Sequence, residues 1–348
     1  MSELVSRDDG GARQQANVPA YVVIVDGKDI SAAIRPRLIS LSLTEKRGGE
    51  ADQLDLVLDD SQGDLAIPKE GAIISLSLGW AQGRNVSKGL VAKGRFKVDE
   101  AGHSGPPDII TISARSADLQ GEFRVRKERS WRSTTIGAVV GQIAADNGLE
   151  PRVASDLAAI AVDLVDQDGK SDMALVRELG KKYDAVATVK DRRLVFARVG
   201  AGVTSSGLAI PALAITRALG DRHDYRRAER DKYDGAEARW HDKGAAKRKT
   251  EKAGAKGTGA SPKRLKRIYA TQADAKAAAE AEANRISRSS AELTLSLALG
   301  DAGIYPERRA TVSGFKAEID AQKWLISEVT HSVDAGGYRT RLKLETSA

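Results

Sequence analysis

Cysteine is absent from the 348-residue chain, which excludes disulfides and thiolate metal sites and fits synthesis in a reducing compartment. At this length the chain has room for two or three domains, and burial alone can hold each of them. Histidine occurs four times, as His103, His223, His241 and His331. No two share helical metal-ligand spacing, so a zinc site would need assembly from distant segments. No run of about 18 apolar residues occurs and the N-terminus lacks an apolar leader, so neither a membrane span nor a signal peptide is expected. A soluble, unexported chain follows as the expectation.

Chemical motifs are equally scarce. There is no phosphate-binding Gly-x-x-x-x-Gly-Lys-Ser/Thr loop and no Gly-x-Ser-x-Gly elbow. Gly83–Gly89 lacks the strand-to-helix context of a phosphate loop and is expected to be a hairpin loop. The pairs Asp59-Asp60 and Asp99-Glu100 are adjacent on expected strands, so their carboxylates point to opposite faces and do not converge on one bond. No catalytic residue, cofactor or metal is therefore expected. The four tryptophans, Trp80, Trp131, Trp240 and Trp324, lie in or beside expected strands and turns, where core packing accounts for them.

What the chain does have is positive charge, +7 in total, and it is concentrated. Lys243 to Arg267 holds ten Lys or Arg against the single acid Glu251, so the remainder is close to neutral. Few large apolar residues accompany these charges, and residues 243–263 are expected to form a basic loop. Lys247, Arg248, Lys249, Lys263, Arg264, Lys266 and Arg267 are the candidates for contact with phosphates or an acidic partner. Aromatics for base stacking are not interleaved with them, so sequence-specific nucleic-acid binding is not expected.

Residues 1–19 are polar and expected to form a flexible arm. From Tyr21 strands begin: Tyr21–Val25 meets Asp26-Gly27, a dipeptide suited to a type I′ turn. Ile39–Leu43, Leu54–Leu58 and Ile74–Trp80 alternate apolar and polar residues, as half-buried antiparallel strands do. Gly94–Glu100 and Asp108–Ala114 complete about six strands in a first β domain, residues 20–117, of the size of a small barrel or sandwich. Residues 118–200 change period. Ile136, Val139, Val140, Ile143 and Ala144 share a helical face closed by Asn147-Gly148, and a second helix starts at Ser171 or Asp172. Two short strands follow between Ala185 and Ala197, so the middle is α+β. In residues 201–348 strands resume around Tyr233–Trp240, and Thr271 caps an alanine-rich helix over residues 271–288. A closing β stretch begins at Leu293.

That last stretch repeats the first. Leu54-Asp-Leu-Val-Leu58 matches Leu293-Thr-Leu-Ser-Leu297, and Ile67–Ser75 matches Tyr305–Ser313 with Pro, Ala and Ser in register. An aromatic-led strand then follows in each, Phe96–Val98 and Trp324–Ile326. Two copies at long separation point to two related β domains, not to a solenoid.

Gly94–Glu100, Pro107–Leu119, Trp131–Gly137, Asp146–Leu149, Gln167–Arg177, Ala187–Phe196, Gly314–Asp320 and Trp324–His331 together resemble the phage late control protein D family, over about Tyr21 to Glu345. The resemblance implies the baseplate hub of a contractile tail or related injection system, similar to the hub part of VgrG-type spike proteins. It implies a structural protein, not an enzyme. The implied fold is two related antiparallel β-barrel domains flanking an α/β middle domain. The implied assembly is a homotrimer whose partners are a central spike, a tail tube or tube-initiator protein and other baseplate subunits. Assembly in the bacterial host cytoplasm and residence in the tail baseplate are implied too, with no membrane anchor. The alternatives are a nucleic-acid-binding protein acting through residues 243–267 and a cell-wall hydrolase. The lack of a recognition helix and of a convergent catalytic set stands against them.

Overall fold

The computed structural model describes residues 16–48, 50–116, 121–190, 192–202, 208–227, 233–242, 244–254 and 261–347. In the first third β1 (Val18–Val25) turns through Asp26 and Gly27, both at positive φ, into the short β2 (Lys28–Asp29). After α1 (Ser31–Ile34) come β3 (Leu38–Lys46), β4 (Gln53–Asp59), β5 (Ile73–Gln82), β6 (Gly89–Ser104) and β7 (Ile109–Ser116). The middle holds β8 (Arg126–Thr135), α2 (Ile136–Asp146), β9 (Glu150–Val153), α3 (Ser155–Ala158), β10 (Ala161–Ser171), α4 (Asp172–Tyr183), β11 (Ala185–Lys190) and β12 (Arg193–Arg198). The last part contains β13 (Leu213–Thr216), β14 (Gly220–Arg226), β15 (Ala236–Asp242), β16 (Lys247–Ala253) and β17 (Lys263–Tyr269). It ends with α5 (Gln272–Arg288), β18 (Glu292–Leu297), β19 (Arg309–Ser313), α6 (Ala317–Asp320), β20 (Trp324–Asp334) and β21 (Gly337–Thr346). The fold is α+β and rich in strand.

Alternation makes the strands amphipathic, and the apolar sides of Leu41, Leu43, Leu54 and Leu56 are fully buried. One hydrogen-bonded path of strands, β14-β18-β21-β20-β3-β4-β7-β6-β5-β1-β2, runs through both ends of the chain, with β19 and β13 branching from β20. Within it one order occurs twice. The run β3-β4-β7-β6-β5 in the first third corresponds to β14-β18-β21-β20-β19 in the last. The irregularities repeat as well. Register slips between Val98 and Glu100 against β7, and between Ile326 and Glu328 against β21. It slips again between Leu38 and Ser40 against β4, and between Gly220 and Arg222 against β18. Bulges are positioned features of a ladder, so their coincidence argues for duplication more strongly than alternation does.

The structure changes the expected alignment in one place. Ile74 pairs with Phe96 and Ala310 with Trp324, so the ladders set Ile74, not Ala72, against Ala310. The in-register Pro, Ala and Ser belong to turns that differ by two residues. The outermost strands also diverge, because β1 runs antiparallel to β5 while β13 runs parallel to β19. Among the described residues the path does not close on itself. It is continuous across the two repeats through the antiparallel pairing of β3 with β20, from Ser40 opposite Asp334 to Lys46 opposite Glu328.

Two other expectations are corrected and one element is added. β1 starts at Val18, ahead of Tyr21, because Pro19 opposite Trp80 adds to the ladder at an edge where a missing N–H is tolerated; residues 1–15 of the expected arm lie outside the described residues. β6 continues to Ser104, so the turn expected from Gly102 is confined to the residues after it. β8 and β10 form a long two-stranded ribbon that no strict alternation announced. The second helix begins where expected, Ser171 Oγ accepting from the Ala174 N–H, and Thr135 Oγ1 caps the first in the same way by accepting from the Ala138 N–H, both at 3.2 Å. Beneath the ribbon, fully buried Asp172 accepts hydrogen bonds from Lys127 (2.7 Å), Arg129 (2.6 Å), Gln167 (2.8 Å) and Asn147 (2.8 Å).

Under the β3–β20 seam lies a buried polar cluster. Lys93 Nζ donates to Glu45 Oε2 at 2.8 Å, and His331 Nε2 lies 3.2 Å from the same oxygen. His331 Nδ1 lies 3.0 Å from both Thr340 Oγ1 and the Tyr338 hydroxyl. Burial works against the Glu45 carboxylate, but His331 and Lys93 outweigh it and hold its pKa at about 2. With Glu45 ionised, His331 carries its proton on Nε2 and accepts at Nδ1. Burial pushes His331 below its ordinary 6.5, against the pull of Glu45.

Removing Glu45 strands a buried ammonium. Glu45→Ala is expected to cost about 3–5 kcal/mol of unfolding free energy in urea titrations, and Glu45→Gln less, because the amide oxygen still accepts. Both His331 and Glu45 bind fewer protons folded than unfolded. Stability is therefore expected to be full above pH 6.5, the ordinary histidine value. It falls as protonation of unfolded His331 sets in, then falls further between 4.5 and about 2 as Glu45 titrates. Melting curves against pH check this, and His331→Gln should abolish the upper step and narrow the lower one, because His331 is one of the two groups that hold Glu45 down.

Candidate functional site

The seven candidate cations lie on a separate three-stranded sheet backed by a helix. β16 pairs antiparallel with β15 from Asp242 opposite Lys247 to Ala236 opposite Ala253, and β17 runs parallel to β15 on its other side. The expected loop over residues 243–263 is thus corrected: Lys247–Ala253 is a strand. Residues 243 and 255–260 lie outside the described residues. A backbone ladder does not require apolar side chains in every strand, and here the apolar surface comes from neighbours. Ala238, Trp240, Ala253, Leu265 and Tyr269 pack against Ala275 and Ala279 of α5. Alanine lets the helix approach closely. At Gly254, φ +74°, an added Cβ would come within 2.7 Å of the Ala283 Cβ. The helix start matches its sequence signal, since Thr271 Oγ1 accepts from the Asp274 N–H at 3.1 Å.

Four of the seven cations are held by acids. Lys249 pairs with Asp242 (2.6 Å) and lies over the Trp240 ring, 5.5 Å from its centroid. Lys263 pairs with Glu282 (2.6 Å), Arg264 with Glu237, and Arg267 with Glu178 of α4 (2.9 Å). Lys247, Arg248 and Lys266 are exposed and have no ion pair among the described residues.

The strand period divides the seven between two faces. On β16, Lys247 and Lys249 share the helix side with Glu251, whose carboxylate accepts from Trp240 Nε1 (3.1 Å) and Gln272 Nε2 (3.0 Å). Arg248, Arg264 and Lys266 take the outward face, together with Lys252, which the sequence reading passed over although it follows Arg248 at strand spacing. Buried Glu237, opposite both Lys252 and Arg264, is the acid between them. The result is a cationic surface, able to attract an acidic partner through screened electrostatics.

Elsewhere, among the described residues, no group of three His, Asp or Glu side chains is arranged to hold a metal ion. No described helix is long and apolar enough to cross a membrane. His103, His223, His241 and His331 lie on four different strands, and His331 is committed to the seam beneath β3 and β20.

Comparison with known proteins places this architecture. Residues 52–337 match the phage tail baseplate hub (GPD) family. The probable baseplate hub protein of Escherichia phage P2 is 39% identical over 366 residues, spanning 94% of this chain and 93% of that protein. The fold is shared with the 43 kDa tail protein of prophage MuSo2 from Shewanella oneidensis. There the TM-score is 0.66 at 15% identity, with 94% of this chain and 98% of that one covered. It is shared too with a chain of the Francisella PdpA–VgrG complex, at a TM-score of 0.59 and 8% identity over 94% of this chain and 58% of that one. With a family match across most of its length and a curated relative at this identity, the chain belongs to the phage tail baseplate hub family.

Proposed function

We propose that three copies of this chain form a hub joining a six-fold tail tube to a three-fold central spike. The supporting observation is the strand order that occurs twice in one chain, with its bulges at matching places. Two such units in each of three subunits present six similar faces to a tube while keeping three-fold symmetry for a spike. On this reading residues 20–117 and 201–348 are the two β-barrel hub domains, and residues 118–200 are the middle domain. The partners are the central spike, the tube or tube-initiator protein and other baseplate subunits. The chain assembles in the host cytoplasm and ends in the baseplate of a phage or related injection particle.

The role is mechanical and needs no reaction: the hub holds spike and tube coaxially and travels with them on contraction. Lys247, Arg248 and Lys266, which lack acids of their own among the described residues, fit contact with an acidic neighbour. Family membership supports this structural role and lends nothing to the nucleic-acid alternative.

Light scattering of the purified protein, alone and mixed with a candidate spike protein, tests the proposal. A trimer, or a monomer that becomes a three-to-three complex with the spike, is expected. A monomer that ignores the spike yet binds DNA would contradict it. The DNA binding would have to weaken steeply with salt and vanish when Lys247, Arg248 and Lys249 are neutralised.

A further inference from the structure

The duplication carries information about how copies meet. Inside the chain β20, of the last repeat, pairs with β3, of the first. By strand order β6 holds the place of β20, and β14 the place of β3. The same join made once more would therefore pair β6 with β14. Within one chain this pairing is not made. Among the described residues β14 has only β18 beside it, and the β5 ladder along β6 ends at Lys97, which leaves Glu100–Ser104 with only β7 beside it.

We propose that the open edge of β6 in one copy pairs antiparallel with the open edge of β14 in the next, reproducing between subunits the β3–β20 seam within each. This rests on the trimeric reading and adds its register. The matching bulges give the equivalences residue by residue. His103 lies opposite Ile110 as His331 lies opposite Thr340. Leu43 lies opposite Leu54 as Tyr225 lies opposite Leu293. His331 faces Leu43, Ser332 faces Ser42 and Val329 faces Glu45. His103 therefore faces Tyr225, Ser104 faces Asp224, and Ala101 faces Arg227.

Burial and charge agree with this pairing. Leu41, Leu43, Val329 and His331 are all 0% exposed in the seam inside the chain, whereas of their counterparts on the open edges His223 and His103 are exposed and Tyr225 and Ala101 only half-buried. The two open edges also differ in charge: Asp99 and Glu100 stand on one, while on the other Arg222, Arg226 and Arg227 outnumber Asp221 and Asp224. Charges on an edge usually deter pairing with another chain. Here the acids on β6 deter a second β6 edge and favour the edge with net positive charge. A contact between two different edges is head-to-tail, so it closes a ring when its rotation allows.

The cysteine-free sequence makes the register testable by crosslinking. Ser104→Cys with Asp224→Cys, and separately His103→Cys with Tyr225→Cys, place cysteines at adjacent facing pairs. Facing pairs alternate between hydrogen-bonded and non-hydrogen-bonded, so one of the two has the shorter separation that suits a disulfide. After mild oxidation at least one double variant is expected to run as a covalent trimer on a non-reducing gel. Ser104→Cys with Arg226→Cys, two residues out of register, should stay largely uncrosslinked. Ser104 and Asp224 are exposed, so their pair tests the register even if the loss of Tyr225 from its contact with Trp324 disturbs folding. Equal crosslinking of the shifted pair would overturn the register. An open ladder of dimers and larger species would overturn the closed seam. Failure of both facing pairs in a protein that light scattering shows to be trimeric would overturn the seam and leave the trimeric hub standing. A monomer by light scattering would remove both.

Discussion

Every strand must place its backbone N–H and C=O groups against another strand or against water, and this structure is arranged around where those groups find partners. The pairing of β3 with β20 is the pivotal case. It turns two copies of one strand arrangement into a continuous sheet path, burying Leu41, Leu43, Val329 and His331 completely. The cluster of Glu45, Lys93, His331, Tyr338 and Thr340 lies at this join, where side chains from both repeats meet. Partly satisfied, such a cluster would weaken the join; with its partners in place it fixes which strand sits beside which.

A second set of charges ties the remaining parts to this frame. Arg288, near the end of α5, donates to Asp184 at 2.7 Å and pairs with Glu345 of β21 at 3.1 Å. Arg47, just after β3, also reaches Glu345, at 2.6 Å. One carboxylate thus links the alanine helix, the last strand and the first repeat, and through Asp184 the middle part as well. For a protein whose proposed work is to hold two larger objects coaxially, cross-links of this kind matter more than any reactive group.

Much of this could be read from the residues, and the exceptions have physical causes. Strict alternation at Leu41, Leu43, Leu54, Leu56 and Leu293–Leu297 reported half-buried strands, and Thr135, Ser171 and Thr271 marked helix starts with their own side chains. The duplication was visible as far as those strands carry it. Its alignment slipped by two residues where Pro68 and Pro306 matched, because turn residues recur for reasons of local geometry that ladders do not share. β16 reads as a loop in the sequence because Lys247–Ala253 has almost no apolar side chain; its packing comes from β15 and α5. β14 was passed over for a related reason. Gly220–Arg226 is nearly all polar, as an edge strand can be when one side meets no core within its own chain. The basic residues attracted notice as a cluster, yet strand periodicity sends them to two faces, and only pairing partners could reveal which remain free.

On the proposed pairing, the repeated strand order explains why a single chain would carry two of these units: each supplies the neighbour that the other lacks, once within the subunit and once between subunits. Electron cryomicroscopy of the purified assembly tests that account most directly. The account predicts a three-fold ring of six similar lobes, with continuous backbone density running from β6 of each subunit into β14 of the next. A particle in which those two edges face solvent, or meet some other strand, would contradict it.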